Sequence, residues 1–362
     1  MSRVVALATG YRAVPTPRLA LLGTGVVGSA FVARYQRLQA RGTAVPEFAW
    51  LANSRALQHC HSVPYQALQA VRGAPVSLDP LPPWAEVDAL RRGDLVVDAT
   101  ASEPVADWHA EWLARGIHVV TANKLGKGGA LVRAHDIDDA GRATGAHYGD
   151  SATVGAGLPL LRSLRELVAG GDRIHRVEGV LSGSLAWLFH HYDGIRPFSE
   201  YVREAQRLGF TEPDPRLDLA GEDVRRKLLT LSRAAGQALH PEQVEVESLV
   251  PPELAALSLA ALDGPLQLLD APLASRFNEA SRNGRKLRFL GAFDQEGARV
   301  GLQALAPEHP LCGGQGTDNR VAIFSDRYCE QPLLIQGPGA GAEVTASALL
   351  DDVIRIVALR SP

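Results

Sequence analysis

The segment from residue 208 to residue 229 carries more charge than a connecting loop requires. Its two prolines predict a stiff, extended loop over residues 211–216, and a helix follows at residues 221–232. Asp223 and Lys227 are four residues apart, so they share a face of that helix. This spacing fits either an exposed ion pair or the wall of a polar pocket. The segment includes Glu212, Asp214, Asp218, Glu222, Asp223, Arg225, Arg226 and Lys227.

Lysine is scarce in this chain, because only four of its 37 basic residues are lysines and the others are arginines. A lysine amine can be tuned to release its proton near neutral pH, whereas an arginine cannot. The few lysines therefore indicate positions where an amine is needed, although retention by chance stays open for each of them. They are Lys124, Lys127, Lys227 and Lys286.

A glycine-rich motif near the start of the chain predicts a dinucleotide site. An apolar run at residues 18–22 leads into the pattern GxGxxG, and an amphipathic helix follows. In this context backbone N–H groups at the helix N-terminus can hold a pyrophosphate. The predicted cofactor contacts in the motif are Gly23, Thr24, Gly25, Val26, Val27 and Gly28.

The predicted second strand, residues 47–52, bears on the choice of cofactor. It ends in Asn53, Ser54 and Arg55, where a carboxylate would select NAD(H). Because Arg55 could pair with a 2′-phosphate, the sequence favours NADP(H). Asn53 and Ser54 could bind a 2′-hydroxyl, so NAD(H) stays possible.

Two further buried strands, residues 94–99 and 117–121, direct polar residues to the same edge of a parallel sheet. The first is followed by Thr100, Ala101 and Ser102, and the second by an Ala-Asn-Lys turn that ends at Lys124. Ligands bind at the carboxyl ends of strands in open parallel sheets. We therefore predict that these residues contact the cofactor.

The composition changes at Gly149, and a second unit follows. A small-residue loop at residues 151–159 precedes a helix, a strand at residues 173–181 and a Ser-Gly-Ser turn. A glycine-rich stretch at residues 337–341 then precedes a helix that we expect to return to the nucleotide unit. The predicted fold class is α/β: a Rossmann-type doubly wound parallel sheet (residues 1–148), an α+β domain (149–336) and a returning C-terminal segment (337–362).

Composition excludes several classes of protein. The net charge of −3 gives no basic surface for nucleic acid. No apolar run is long enough to cross a membrane and no signal-peptide pattern is present, so we expect a cytoplasmic protein. Three widely separated cysteines argue against a disulfide framework and a zinc site.

Several segments together resemble homoserine dehydrogenases, most closely the dehydrogenase half of the bifunctional aspartokinase–homoserine dehydrogenases. The block at residues 209–227 is the most specific of them. The resemblance implies NAD(P)H-dependent, reversible reduction of L-aspartate 4-semialdehyde to L-homoserine, in threonine, methionine and isoleucine biosynthesis. The matching segments are residues 23–28, 122–124, 152–159, 179–184, 209–227 and 337–345.

The resemblance also implies roles for single side chains. Hydride delivery to an aldehyde leaves an alkoxide that must be protonated, and a lysine ammonium can do this. By similarity Lys227 is the proton donor, Lys124 lies near the reacting oxygen and the nicotinamide, and Asp223 holds Lys227 in place. The resemblance further implies Glu212, Asp218 and Ser184 as substrate contacts, with Thr100 and Gly341 touching the cofactor.

Two further expectations follow from the resemblance. A sodium ion would be held by the backbone carbonyls of Val154, Ala156 and Leu158, although Ser151 stands where a carboxylate is common in the family. The second domain would also form a homodimer through its sheet.

Two other functions remain to be weighed. An aldehyde dehydrogenase that works through a thiohemiacetal needs an activated cysteine opposite the nicotinamide, and none occurs between Cys60 and Cys312. A nucleotide-sensing protein without catalysis would not need the polar residues of the charged segment.

Overall fold

A computed structural model describes residues 16–60, 63–75, 90–314 and 316–359. Their strands form two six-stranded sheets. The strands are β1 Arg18–Leu22, β2 Glu47–Ala52, β3 Leu57–His59, β4 Leu95–Asp98, β5 His118–Thr121, β6 Tyr148–Gly149, β7 Ile174–Val180, β8 Val244–Val246, β9 Lys286–Phe293, β10 Ala298–Leu305, β11 Asp318–Ser325 and β12 Leu333–Pro338. The α-helices are α1 Val26–Ala40, α2 Pro64–Gly73, α3 Glu103–Ala114, α4 Leu125–Gly128, α5 Leu131–Thr144, α6 Leu160–Ala169, α7 Gly183–His191, α8 Phe198–Arg207, α9 Arg216–Leu219, α10 Glu222–Ala234, α11 Pro252–Ala255, α12 Asp270–Arg282 and α13 Ala342–Ala358.

The first sheet has the order β3-β2-β1-β4-β5-β6, and the four pairings that join β2, β1, β4, β5 and β6 are parallel. Every residue of β4 and β5 is buried, as expected of central strands with both faces covered. The predicted Rossmann-type sheet is confirmed, and β1 and β2 have the predicted bounds. The short strands β3 and β6 were not predicted, because three or two residues carry no readable alternation.

The C-terminal helix α13 packs against α1 of the nucleotide unit. Its buried face contributes Ala346, Leu349, Leu350 and Val353 to the core formed by β1 and α1. Glu343 at the start of α13 also pairs with Arg37 of α1 at 2.7 Å. The predicted return of the C-terminus is therefore confirmed.

The second sheet has the order β12-β11-β7-β9-β10-β8. Its three central strands are antiparallel to each other, with Val321 of β11 opposite Gly179 of β7 and Phe293 of β9 opposite Val177. Helices α6, α7 and α10 bury their apolar faces against one side of this sheet, in the largest core of the chain. The short strand β8 was not predicted.

One prediction in the charged segment is wrong. Residues 211–216 were expected to stay extended throughout, but Pro215 has helical dihedral angles and caps the short helix α9, which begins at Arg216. Proline is well suited to the first turn of a helix because its missing N–H has no partner there. The domain boundaries at 148/149 and 336/337 stay predictions, and residues 1–15 and 360–362 of these domains lie outside the described part of the chain.

Candidate active site

Helix α10 carries the predicted Asp223–Lys227 pair. Val224, Leu228 and Leu231 form its buried face, as the sequence predicts. The Lys227 Nζ lies 2.7 Å from the Asp223 Oδ2, and the Lys227 side chain is only 9% exposed. The pair is therefore not the exposed surface ion pair that remained open from the sequence.

A second acceptor holds the Lys227 ammonium. Its Nζ donates to the backbone carbonyl of Leu181, at 2.7 Å, just beyond the end of β7. Leu181 is itself fully buried. The sequence gave no signal for this contact, because a backbone carbonyl has no residue type and the two residues are 46 positions apart.

Lys124 reaches the same carboxylate from the nucleotide unit, with its Nζ 2.9 Å from the Asp223 Oδ1. Lys124 follows β5 and caps α4, and its side chain is 38% exposed. Its neighbour Asn123 fixes this turn, since its amide donates to the Ser102 carbonyl at 2.8 Å and its Oδ1 accepts the Leu125 N–H at 3.1 Å. The two oxygens of Asp223 thus bring together one lysine from the nucleotide unit and one from the second unit.

The charges of this cluster shift the pKa values of its members. Burial alone would raise the pKa of Asp223, but Lys227 and Lys124 outweigh it and hold that pKa below the usual value. Burial lowers the pKa of Lys227 below 10.5, and the charge of Asp223 opposes this shift. Asp223 is therefore an ionised partner that keeps Lys227 protonated more strongly than burial alone would allow.

Asp218 lies in α9 and receives two hydrogen bonds. The Ser184 hydroxyl at the start of α7 donates to its Oδ1, and the Glu212 N–H donates to its Oδ2 at 2.9 Å. Burial raises the pKa of Asp218, and these two hydrogen bonds oppose the rise. The Glu212 side chain is exposed and has no hydrogen-bond partner among the described residues.

One arginine anchors the loop of residues 211–216, which precedes Asp218. Arg216 pairs with Asp214 at 2.7 Å and donates to the carbonyls of Leu254 and Leu257 at 3.1 and 2.7 Å. The loop is therefore fixed at its base, while Glu212 at its tip stays accessible.

The glycine motif forms a close turn with an open face. Gly23 has φ +92°, and a side chain there would meet the Ala99 carbonyl at 2.7 Å. A side chain at Gly28 would overlap the Gly23 carbonyl, whereas nothing lies within 4 Å of the corresponding position at Gly25. Gly25 caps α1, Val26 beside it is 78% exposed, and Thr24 is buried. These features fit a dinucleotide, because two glycines close the turn and the third leaves the helix N-terminus open.

Asn53 and Arg55 differ in how their side chains are used. The Asn53 amide donates to the Thr24 hydroxyl and the Val71 carbonyl, at 3.0 and 3.2 Å. Its Oδ1 accepts the N–H of Arg55 at 2.8 Å. Asn53 therefore shapes the turn, while the exposed Arg55 side chain stays accessible to a ligand.

A buried polar network under Thr100 was not predicted. Asp98 accepts the Thr100 N–H at 2.8 Å and lies 2.9 Å from the His109 Nε2, while the His109 Nδ1 lies 3.0 Å from the Tyr148 hydroxyl. Asp98 and His109 have no exposed surface. The network fixes Thr100, and through it the turn of Ala101 and Ser102, since the Ser102 N–H donates to the Thr100 hydroxyl at 3.2 Å.

Some features of the small-residue loop at residues 151–159 suit a sodium site and others do not. Ala156 has φ +50° and is the one non-glycine residue of the described chain with a positive φ. Val154 is fully buried, and the Leu158 carbonyl already accepts the Leu160 N–H at 2.8 Å. The described side chains contain no metal cluster of His, Cys, Asp or Glu.

The polar residues before that loop are engaged elsewhere. Asp150 accepts two hydrogen bonds of 2.6 Å from Arg165, and Ser151 bonds to Asp352 of α13. Both side chains therefore already have partners among the described residues. Gly341 caps α13 with φ +120° and is exposed, so a second helix N-terminus is open to ligands.

Comparison with protein families decides the relationship. Residues 23–148 match the family model described as homoserine dehydrogenase, NAD binding domain, and residues 159–354 match the model described as homoserine dehydrogenase. The chain belongs to the homoserine dehydrogenase family. Homoserine dehydrogenases are NAD(P)-dependent oxidoreductases, in agreement with the resemblance read from the sequence.

Individual relatives support this membership. Bifunctional aspartokinase/homoserine dehydrogenase 2 of Escherichia coli is 38% identical over 357 residues, 96% of this chain and 44% of that protein. Homoserine dehydrogenase of Paracoccidioides brasiliensis is 39% identical over 275 residues, 73% of this chain and 74% of that protein. The chain spans less than half the length of the bifunctional relatives that it matches.

The fold agrees with a solved member of the homoserine dehydrogenases. A hyperthermophilic archaeal homoserine dehydrogenase in complex with NADPH superposes with a TM-score of 0.72, over 96% of this chain and 98% of that chain, at 19% identity. At this identity the likeness is one of fold. No helix in the described part of the chain is both long and apolar enough to cross a membrane.

Proposed function

We propose that this protein catalyses the NAD(P)H-dependent, reversible reduction of L-aspartate 4-semialdehyde to L-homoserine. The observation that supports this most is that the Asp223 carboxylate pairs with both lysines. Its oxygens lie 2.9 Å from the Lys124 Nζ and 2.7 Å from the Lys227 Nζ. It brings a buried ammonium group to the carboxyl edge of a dinucleotide-binding sheet. That arrangement suits a reaction in which a hydride and a proton are added to one carbonyl.

The proposed chemistry needs one proton donor. The bound nicotinamide supplies the hydride to the aldehyde carbon, and the carbonyl oxygen becomes an alkoxide. Lys227 has three N–H bonds, of which two point to Asp223 and Leu181, so the third can donate to that oxygen. Proton transfer then gives the alcohol and a neutral amine, which water reprotonates.

Lys124 and Asp223 assist this step in different ways. The Lys124 ammonium stabilises negative charge on the reacting oxygen as it forms. Asp223 keeps Lys227 charged and fixes its position. In the reverse reaction, the neutral Lys227 amine takes the proton from the homoserine hydroxyl.

The proposed amino-acid contacts lie on the acidic loop. Glu212 has an exposed, unpaired carboxylate that can bind the α-ammonium group of the substrate. Asp218 accepts hydrogen bonds from the Ser184 hydroxyl and from the Glu212 N–H. Asp218 therefore fixes the position of Glu212 relative to α7. Ser184 contacts the substrate from the start of α7, beside Asp218.

For the cofactor we propose the open faces at Gly25 and Gly341, and we favour NADP(H) over NAD(H). Arg55 carries this preference, because its exposed guanidinium can pair with a 2′-phosphate and the turn offers no carboxylate to bind a 2′-hydroxyl. The archaeal structure in complex with NADPH is consistent with this choice.

We propose that the loop of Val154, Ala156 and Leu158 binds a sodium ion through backbone carbonyls. The strained φ of Ala156 supports this, since it turns successive carbonyls in different directions. Turnover should rise as sodium chloride replaces choline chloride at constant ionic strength. A flat response would contradict the sodium site.

We also propose a cytoplasmic homodimer that pairs through the second sheet. Light scattering during gel filtration measures its mass, and a monomer at micromolar concentration would contradict the dimer.

A thiohemiacetal mechanism has little support. Burial raises the pKa of the Cys312 thiol, and a raised pKa is the opposite of an activated nucleophile.

The reaction can be tested with purified protein. We expect homoserine to reduce NADP and NAD in parallel assays that follow the absorbance of the reduced nicotinamide, with the lower KM for NADP. Other small hydroxy acids, such as serine and malate, are the controls. Equal turnover of these controls, or none with homoserine, would contradict the proposal.

A further inference from the structure

Asn319 near the start of β11 is a buried amide with no hydrogen-bond partner. Only 1% of its surface is exposed. Neither the Asn319 Nδ2 nor its Oδ1 is bonded to any group among the described residues. A buried amide can make several hydrogen bonds, and leaving them unmade costs stability.

Other asparagines of the chain show that this is unusual. Asn53 and Asn123 both use the donor and the acceptor of their amides in hydrogen bonds to neighbouring residues. Buried polar groups in native proteins are nearly always paired, so an unpaired one calls for an explanation.

The position of Asn319 suggests that explanation. Asn319 lies opposite Gly337 of β12 and next to Gly339, in the loop of residues 339–341 that connects β12 to α13. The backbone of Gly339 covers the amide so closely that a side chain at position 339 would come within 1.9 Å of the Asn319 Oδ1. The amide is therefore sealed by this loop.

The loop itself has the features of a movable segment. Gly337 and Gly341 have φ of +156° and +120°, which side chains rarely adopt. Gly337 lies in β12 and pairs with Asn319, so rotation at Gly339 and Gly341 is what can shift the backbone of residues 339–341. The same loop ends at Gly341, the exposed N-terminal cap of the 17-residue helix α13.

We propose that Asn319 is a positioning residue that couples cofactor binding to the arrangement of the loop at residues 339–341. When the cofactor occupies the α13 N-terminus, the loop shifts, and the backbone N–H and C=O groups of residues 339–341 pair with the Asn319 amide. The cofactor then selects the arrangement in which this amide is satisfied. The proposal rests on the cofactor use proposed above.

The main test replaces the amide with an apolar side chain of similar size. Asn319→Leu should raise the melting temperature of the free protein, because it removes an unpaired buried polar group. It should also weaken NADPH binding about tenfold, which corresponds to the loss of about one hydrogen bond. The kcat at saturating cofactor should stay within about twofold, since Lys227 is untouched.

The opposite signs of these two effects distinguish positioning from a structural role. A structural amide, paired in the free protein, would give a lower melting temperature or no folded protein, and either result overturns the proposal. Unchanged NADPH affinity in Asn319→Leu overturns it as well. Asn278→Leu, at an exposed position of α12, is the matched control and should change neither quantity.

A double-mutant cycle tests the contact itself. Gly339→Ala should lower the melting temperature of the free protein, because its new methyl group would meet the Asn319 Oδ1. In an Asn319→Ala background the penalty of Gly339→Ala should shrink, and equal penalties in both backgrounds would overturn the coupling. Fluorescence measures NADPH binding directly and does not depend on turnover. If Asn319→Leu weakens NADPH binding but the wild type does not oxidise homoserine, only the proposed reaction is refuted.

Discussion

The two lysines that meet at Asp223 come from regions of opposite character. Lys227 lies on a 13-residue helix packed into the largest core, and its side chain is 9% exposed. Lys124 lies on a short turn at the edge of the nucleotide sheet, and its side chain is 38% exposed. The Lys227 ammonium is held by two fixed acceptors, and the Lys124 ammonium by one oxygen of the shared carboxylate.

The difference indicates a division of labour. A proton donor must keep its geometry through every turnover, and a helix in a packed core provides this. A group beside a cofactor that enters and leaves needs room to move, and an exposed turn provides that. Substitutions of the two lysines and of the residues around them test this contrast.

Replacing Lys227 by methionine should have the largest effect. We expect kcat to fall by about 10³-fold, because the reacting oxygen loses its proton donor. KM for NADP should change little, since Lys227 lies on the second unit. Steady-state kinetics with homoserine measures both, and Lys286→Met on β9 is the control. A kcat within tenfold of the wild type would refute the assignment of Lys227.

Replacing Asp223 by asparagine should lower kcat by about 10²-fold, because both lysines lose their shared partner. It should also move the pH profile. Burial lowers the pKa of Lys227 and the charge of Asp223 opposes this, so removing the charge lowers that pKa further.

Aldehyde reduction needs protonated Lys227 and is lost as the pH rises through its pKa. In the wild type this loss should occur below pH 10.5, the ordinary lysine value, and in Asp223→Asn at lower pH still. Glu222→Gln, which removes a neighbouring carboxylate paired with Arg225, is the matched control. An unshifted profile in Asp223→Asn would contradict the coupling.

Replacing Lys124 by methionine should have a smaller effect than either change on α10. We expect kcat to fall by about 10- to 100-fold, because Lys227 keeps both of its acceptors. The pH at which reduction is lost should rise, since the charge of Lys124 lowers the pKa of Lys227. A loss as large as that of Lys227→Met would mean that the exposed lysine is the proton donor.

Replacing Arg55 by alanine should have the smallest effect. The affinity for NADP should fall about tenfold with that for NAD unchanged, because an exposed charge pair contributes little beyond one interaction. KM values for both cofactors measure this, and Arg41→Ala, beyond the end of α1, is the control. Equal changes for NADP and NAD would refute a 2′-phosphate contact.

Much of this arrangement could be predicted from the sequence. The glycine motif, the strands β1, β2, β4 and β5, and the face shared by Asp223 and Lys227 all follow from local pattern. Local pattern suffices there because a period of two or of 3.6 residues is written in adjacent positions. The helical turn at Arg216 was missed, since two prolines fix φ but leave ψ to the packing around them.

Sequence patterns are enough to recognise the family, the dinucleotide-binding unit and the charged residues. The packing of the chain is what buries Lys227 against the Leu181 carbonyl, brings Lys124 to the same carboxylate and leaves the buried Asn319 amide without a partner among the described residues. Each of these depends on contacts between residues far apart in the chain. Burial and hydrogen bonding over such distances are set by how the elements pack, and no local periodicity encodes them.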